Sequence, residues 1–534
     1  MSQHTRPADA AVTQATETLV ALVEARRQQV SRSLEAKTRT QLGQYFTPRP
    51  VADFLAAQLT LPQLGDFRVL DPGAGVGSLT ASLVARVLRE RSALALTIVA
   101  FEIDEALVPH LRQTLEDCRR VAGVLGVALS YEIREEDFVQ WGAQAIEGSL
   151  LATPLSFHAC IMNPPYRKIG AGRQERLAVA RLGLRVTNLY AAFLALVADL
   201  LEPGGQVSAI TPRSFSNGLY FDPFRKYFFS RMALDRVHVY ERRGELFADA
   251  EVLQENVVFC ATRDGARREV ALSVVGSSGE HTERAVPYQE ILRPDDPHQF
   301  IRLPVDARDS VVAQCMGGLE ADLLLLDLKV STGRVVDFRT RENLRDDHGG
   351  DTVALIYPGH LKDGRVRWPA SDSKKPNALR LTSATQGLVL PNETYVLVKR
   401  FTAKEETRRV VAALASHRDI EGDAVAFENH LNVYHRDGRG LPGDLAAGLV
   451  AFLNSTIVDQ FVRQFNGHTQ INATDLRQLP YPRADELRVL GRALVAHEGW
   501  PSQDELDGIV AEWIEPFALE TGHVVIEVGD DVAA

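Results

Sequence analysis

A glycine-rich turn between a strand and a helix constrains this chain more than any other feature. Phe67 to Leu70 is apolar but for Arg68 and reads as a strand, Asp71 stands at its carboxyl end, Gly73, Gly75 and Gly77 follow, and an amphipathic stretch opens at Ser78. Glycines at that spacing let the backbone turn sharply and come close to a ligand. A phosphate loop does not fit, because no Gly-Lys-Ser/Thr follows and the Asp71 carboxylate repels phosphate. The pattern suits a ligand with a positive end.

Two more strand ends repeat the arrangement. LTIVAFEIDEAL carries Glu102 where an acid can grip the two hydroxyls of a ribose, and LSYEIREEDFVQW leads to Asp137 and Phe138, a pair suited to an adenine's amino group and face. Taken singly, each acid is explained as well by a helix cap or a solvated loop. Their order aims all three at one nucleoside. From about residue 66 to 262 strands and helices alternate, which predicts a mostly parallel sheet covered on both faces. Leu189 to Leu201 predicts a helix stopped by ProGlyGly, with GlnValSerAlaIleThr as the next strand, and VHVYE and NVVFCAT predict an antiparallel edge.

Asn163-Pro164-Pro165-Tyr166 closes the apolar run AlaCysIleMet. An exocyclic amine on an aromatic ring is a poor nucleophile, because its lone pair is delocalised. The Asn163 side-chain oxygen and the Pro164 carbonyl can each accept one N–H, drawing the nitrogen toward a tetrahedral shape. The prolines hold both acceptors rigidly, and Tyr166 offers a flat face to a base swung out of its stack. The plainer reading is a strand-ending turn.

With QYFTP (Gln44 to Pro48) just upstream, these motifs resemble the gamma class of DNA amino-methyltransferases, the N6-adenine modification methylases of bacterial type II restriction-modification systems. In that class the FTP motif precedes the glycine-rich one and the specificity region comes last. The resemblance implies a Rossmann-like S-adenosylmethionine-dependent methyltransferase fold with an antiparallel edge strand, followed by a mixed α/β target-recognition domain. It implies that Thr47, Asp71 and the turn at Gly73, Gly75 and Gly77 hold the methionine end of S-adenosylmethionine, Glu102 the ribose, and Asp137 with Phe138 the adenine. Asn163, Pro164, Pro165 and Tyr166 would hold the target adenine, and Phe247, in GELF before the strand ENVVFC, would close its other side. The specific motifs cover residues 41 to 262, and the C-terminal half matches only in layout and in phrases such as NGHTQINATDLRQLPYP. The implied setting is protection of double-stranded DNA from a separate restriction endonuclease. Cytosine-N4 methylation is the nearest rival chemistry, with motif order and Asn at the first position favouring adenine. A recognition subunit with an inactive methyltransferase fold is the rival from another class, and the intact motifs argue against it.

Length suggests two large domains. We expect a helical extension over 1–40, a catalytic domain over 41–305, a target-recognition domain over 306–500 and an acidic segment over 501–534. Residues 12 to 40 place Leu19, Leu22, Val23, Val30 and Leu34 at helical spacing, which fits one long helix on the catalytic domain or a dimer contact. Between about 263 and 310 the pattern turns irregular and polar, which places the boundary near 305.

A net charge of −11 looks wrong for a DNA-binding protein. Its distribution resolves the conflict, because nine acidic residues and no Lys or Arg lie between Pro501 and Ala534. DNA contact then falls to local basic patches. After the tetrapeptide, Arg167, Lys168, Arg173, Arg176, Arg181 and Arg185 oppose only Glu175, which predicts a phosphate-contacting loop, or in the plainer reading a solvated helix. Farther on, Lys362, Arg365, Arg367, Lys399, Arg400, Asn466, His468 and Gln470 sit in loops with side chains suited to phosphates or base edges, with Trp368, Tyr395 and Phe401 among them. Four scattered cysteines give no metal site and no disulfide framework. The polar start shows no signal peptide and no apolar run approaches the ~20 residues needed to span a bilayer, so the expectation is a cytoplasmic protein with no membrane partner.

Overall fold

Apolar residues buried on both faces make β1 (Asp66–Pro72) an interior strand of a large sheet. The computed structural model describes residues 7–33, 46–62, 65–92, 95–148, 156–170, 172–240, 256–275, 281–294, 296–304, 306–370, 375–402, 407–466 and 470–520. The chain divides into two units, Met1–Leu303 and Pro304–Ala534.

In the first unit, β2 (Ala95–Phe101), β3 (Ala128–Arg134), β4 (Phe157–Met162), β5 (Leu201–Pro212), β6 (Met232–Tyr240), β7 (Asn256–Arg263), β8 (Glu269–Val275) and β9 (His281–Pro287) join β1. The nine strands lie in the order β3-β2-β1-β4-β5-β7-β6-β8-β9. Strands β3 to β5 in that order run parallel, and β7 is antiparallel to both β5 and β6. The sequence suggested that this reversal would be the edge of the sheet. Instead β8 pairs with β6 and β9 closes the edge, in a stretch that looked irregular. The signal was present in the alternation of Val270, Leu272 and Val274, all buried, but short polar flanks hide it.

Helices α1 (Pro7–Ser33), α2 (Arg49–Gln58), α3 (Ser78–Glu90) and α4 (Val108–Val124) cover one face, sharing a core of Leu19, Val51, Leu55, Leu83, Leu111 and Leu115 with Val69, Ile98 and Ile161 of the strands. Leu22 of α1, expected on the packed stripe, is instead 44% exposed. On the other side α5 (Phe138–Gly148), α7 (Leu189–Leu200) and α8 (Asp222–Arg231) pack, with α6 (Gln174–Arg181) against α5 and α7. α7 is apolar all round and almost wholly buried, which a helix between sheet and outer helices must be. ProGlyGly after α7 does not end the run cleanly. β5 already pairs at Leu201, loses register, and resumes at Gln206.

The second unit holds two sheets. One has the order Lys329–Thr332, Leu431–His435, Tyr395–Lys399, Ala412–Ala415, Arg365–Val366, Leu361–Lys362, and the other Leu344–Arg345, Ala378–Arg380, Thr352–Ile356, Ala424–Phe427, Val389–Pro391. Helices Gly443–Leu453 and Ala484–Ala496 cross at Gly448 and Gly491, so closely that a Cβ on Gly448 would lie 1.7 Å from the Leu487 carbonyl oxygen. Only glycine fits there. Among the described residues no single helix is long and apolar enough to cross a membrane.

Candidate active site

Strand order reverses between β1 and β4, so the loops at their carboxyl ends diverge and leave a crevice. Gly73 and Gly75 after β1, Glu102 after β2, Asp137 and Phe138 after β3, and Asn163 and Pro165 after β4 all line it. The sequence singled out each of these. Phe46, Leu107 and Phe193 are among the other residues of the wall, and the sequence assigned none of them a role. Phe193 was invisible because α7 has no polar face to contrast with it.

The glycine turn is fixed from two sides. Backbone N–H groups of Gly73 and Ala74 donate to the Phe101 carbonyl at 3.0 and 2.8 Å, and that of Gly75 donates to Glu102 Oε2 at 2.8 Å. Gly77 has φ of 83°, and a Cβ there would lie 2.9 Å from Thr114 Cγ2 on α4. A side chain at Gly73 would project to 3.6 Å from the Phe193 ring, into the cleft. The glycines therefore keep room for a ligand as well as shaping the turn.

Three acids gather at this end of the sheet. Burial raises the Glu102 carboxyl, although N–H groups of Asp104 and Gly75 hold it, and burial likewise raises Asp137, which accepts from Gln140 N at 2.9 Å and so also caps α5. Burial, with the Glu102 charge added, pushes the Asp71 carboxyl up to about 7. Asp71 is fully buried beneath the turn and does not line the cleft. Its Oδ2 accepts from Thr80 Oγ1 at 2.5 Å, and its Oδ1 has no hydrogen-bond partner among the described residues. Carboxyls raised together mark a place where a cation is favourable.

Beside the acids, Asn163 is held by both ends of its amide. Its Nδ2 donates to Thr47 Oγ1 at 3.0 Å, and its Oδ1 accepts from the Tyr166 hydroxyl at 2.9 Å. The same hydroxyl approaches the Ile210 carbonyl at 3.2 Å, and the Tyr166 ring meets Tyr190 edge-on with centroids 6.2 Å apart. Pro164 is buried, and Thr47 is 5% exposed. Phe247 lies outside the described residues.

A family profile described as the Eco57I restriction-modification methylase matches residues 91–247. The type II methyltransferase M.PstI of Providencia stuartii is 40% identical over 481 residues, covering 89% of this chain and 94% of that protein. The chain belongs to the type II methyltransferases of restriction-modification systems. M.BsuBI of Bacillus subtilis, also a type II methyltransferase, is 37% identical with the same coverage. Among solved structures, the type IIL restriction-modification enzyme MmeI in complex with DNA shares the fold, with a TM-score of 0.52, 11% identity, and coverage of 92% of this chain and 75% of that one.

The basic positions of this methyltransferase fall into different settings. Part of the expected loop after the tetrapeptide is the helix α6. Arg167 lines the cleft and pairs with the buried Glu175 at 2.8 Å, Arg173 stands 3.5 Å from the same carboxylate, and Arg181 pairs with Glu147. Lys168 is exposed. Lys362, Arg365 and Arg367 are exposed on a hairpin whose Asp363-Gly364 turn has positive φ at both residues. Lys399 and Arg400 are half-buried, and Arg400 reaches Gln470 Oε1 and Asn472 Oδ1, each at 3.4 Å. Two expectations are corrected. Asn466 is 4% exposed, and its amide holds Arg409, the Gln470 carbonyl and Asp475, so it is an interior brace. Tyr395 is fully buried, its hydroxyl bonded to the Pro391 carbonyl. His468 lies outside the described residues.

Proposed function

We infer that this protein methylates the N6 amine of adenine at one short sequence in double-stranded DNA, using S-adenosylmethionine and taking the target base out of the duplex. The single observation that carries the reading is the braced Asn163 amide next to a cleft lined by Glu102, Asp137 and the glycine turn. The cleft fits that cofactor. Glu102 retains lone pairs for ribose hydroxyls, Phe138 and Phe193 offer apolar faces to an adenine, and the raised acids Glu102 and Asp137 of the wall, with Asp71 beneath the turn, suit a positive charge. When bound, the cofactor supplies an electrophilic methyl group on a cationic sulfur.

The chain's own part is to make an amine nucleophilic. Asn163 Oδ1 and the Pro164 carbonyl accept its two N–H groups, and Tyr166 lies against the base. An acceptor placed where charge develops contributes ~3 kcal/mol, about a hundredfold in rate. Exposed cations at Lys168, Arg173, Lys362, Arg365 and Arg367 supply phosphate contacts, and the second unit serves as the target-recognition domain. Such methylation protects DNA from a cognate restriction endonuclease.

The test is nucleoside mass spectrometry on unmethylated duplex DNA incubated with the purified protein and isotope-labelled S-adenosylmethionine. Label in N6-methyldeoxyadenosine supports the reading. Label in N4-methyldeoxycytidine, or in no nucleoside, overturns it.

A further inference from the structure

Helix α1 precedes every catalytic motif and lies outside the residues matched by the family profile. It nevertheless reaches the segments that carry the cleft in three places, the last of them at residues of the wall itself. Glu24 Oε2 accepts from the backbone N–H of Arg49 at 3.2 Å, and Glu17 pairs with the Arg49 guanidinium. Arg49 opens α2, two residues after Thr47. Arg26 donates from Nη1 to Thr114 Oγ1 at 2.6 Å and from Nη2 to Asp117 Oδ2 at 2.7 Å. Thr114 in turn donates its hydroxyl proton to the carbonyl of Val76, inside the glycine turn, at 2.7 Å. Last, Val30 packs with Val76 and Leu107, and Phe46 rests on that cluster. Phe46 and Leu107 are themselves cleft wall.

Attachment alone does not call for the Arg26 contacts. Leu19 and Val23 already bury α1 in the core of the unit. The Arg26 and Asp117 side chains are only 13% and 4% exposed, so the pair carries a desolvation cost that an apolar residue would avoid. What the rigid guanidinium fork adds is position. A hydroxyl has one proton, and a donor lodged at Thr114 Oγ1 leaves that proton directed at Val76. The adjoining Gly77 has α4 packed against it through the same threonine. The turn therefore has a further fixed point besides the Phe101 carbonyl and Glu102.

We propose that α1 is a strap that positions the cofactor side of the site, with Arg26 as a positioning residue holding the glycine turn through the Thr114 hydroxyl. The proposal rests on the reading of the cleft as an S-adenosylmethionine site. It turns a helix that sequence left as simple packing or a dimer contact into part of the binding machinery.

The experiment is calorimetric titration of S-adenosylhomocysteine into the full-length protein, with steady-state methylation and thermal unfolding alongside. The variants are Arg26→Met, Thr114→Val and Thr114→Ser. Arg26→Met and Thr114→Val are each expected to weaken binding and raise the KM for S-adenosylmethionine on the order of tenfold, as loss of a charge-assisted hydrogen bond does, with kcat at saturating cofactor little changed. Thr114→Ser should restore wild-type affinity, and the double variant should be no weaker than either single one. Lowered thermal stability with unchanged affinity and KM would overturn the proposal, because α1 would then be packing alone. Should Arg26→Met fail to fold, Thr114→Val reads the same link from its other end. Failure of the wild type itself to bind would instead overturn the cofactor reading beneath it.

Discussion

Asn163 Nδ2 donates to Thr47 Oγ1 at 3.0 Å across 116 positions of sequence. That bond sets which way the amide faces. With its nitrogen engaged by Thr47, the Asn163 oxygen points to the Tyr166 side, where a base amine would need an acceptor. In the proposed mechanism the FTP motif would therefore act on the chemistry, through the orientation of the Asn163 amide. Thr47→Val keeps the shape of the side chain and removes the acceptor, so kcat at saturating cofactor should fall about tenfold, whereas Thr47→Ser should stay near wild type. Steady-state methylation of an oligonucleotide duplex checks this.

Under the proposed mechanism, Tyr166 occupies the acceptor that the target amine would require. Its hydroxyl sits on Asn163 Oδ1 at 2.9 Å, so the amine must displace or share with it. Tyr166→Phe keeps the ring and removes the competitor, and should retain or raise turnover. Tyr166→Ala removes the stacking face and should raise the KM for DNA by roughly tenfold, in line with the ~1–3 kcal/mol of base–aromatic stacking. Equal losses in both variants would contradict the assignment of the ring as the working part.

Asp71 makes stability depend on pH in a stated direction. Folding raises its carboxyl from 3.8 to about 7, chiefly through burial. Between those values the folded protein holds a proton that the unfolded chain has released, so this contribution is complete below the lower value and is lost as pH rises through the upper one. Asp71→Asn removes this contribution. Urea unfolding at pH 5 and pH 8 should show the wild type losing more stability over that interval than the variant, with a slope difference of at most ~1.4 kcal/mol per pH unit. Glu102 and Asp137 are raised as well and keep some slope in the variant.

The hairpin of the second unit predicts a salt effect. Lys362 and Arg365 are cross-strand partners, and Arg367 follows at the next same-face position. Replacing all three with Ala should weaken binding to cognate and unrelated DNA alike and flatten the dependence of log K on log salt by roughly 3. Fluorescence anisotropy at several salt concentrations measures it. A change confined to cognate DNA would make these residues base readers instead.

The catalytic unit was legible because its signals lie next to each other in sequence. A strand, an acid and a glycine turn announce themselves within FRVLDPGAGVGSL, and β2 and β3 again lead to an acid. What stayed hidden depends on pairings across long separations. Arg26 is one of several arginines in α1 until Asp117, 91 positions away, shows which one pairs with α4. Asn466 and Tyr395 have the composition of a DNA-contacting loop and strand, and only packing shows that Arg409 and the Pro391 carbonyl hold them inside. Polarity in a sequence marks a need for hydrogen bonds and does not say whether water or protein meets it.

Amine methylation on DNA through Asn163 is tested by single-molecule sequencing with base-modification detection, applied to DNA from a methylation-free host expressing either the wild type or Asn163→Ala. N6-methyladenine is expected at one short recurrent motif with the wild type and none with the variant, while the purified variant still binds S-adenosylhomocysteine. Methylation undiminished in Asn163→Ala, modification of cytosine, or no modified base with the wild type would contradict it.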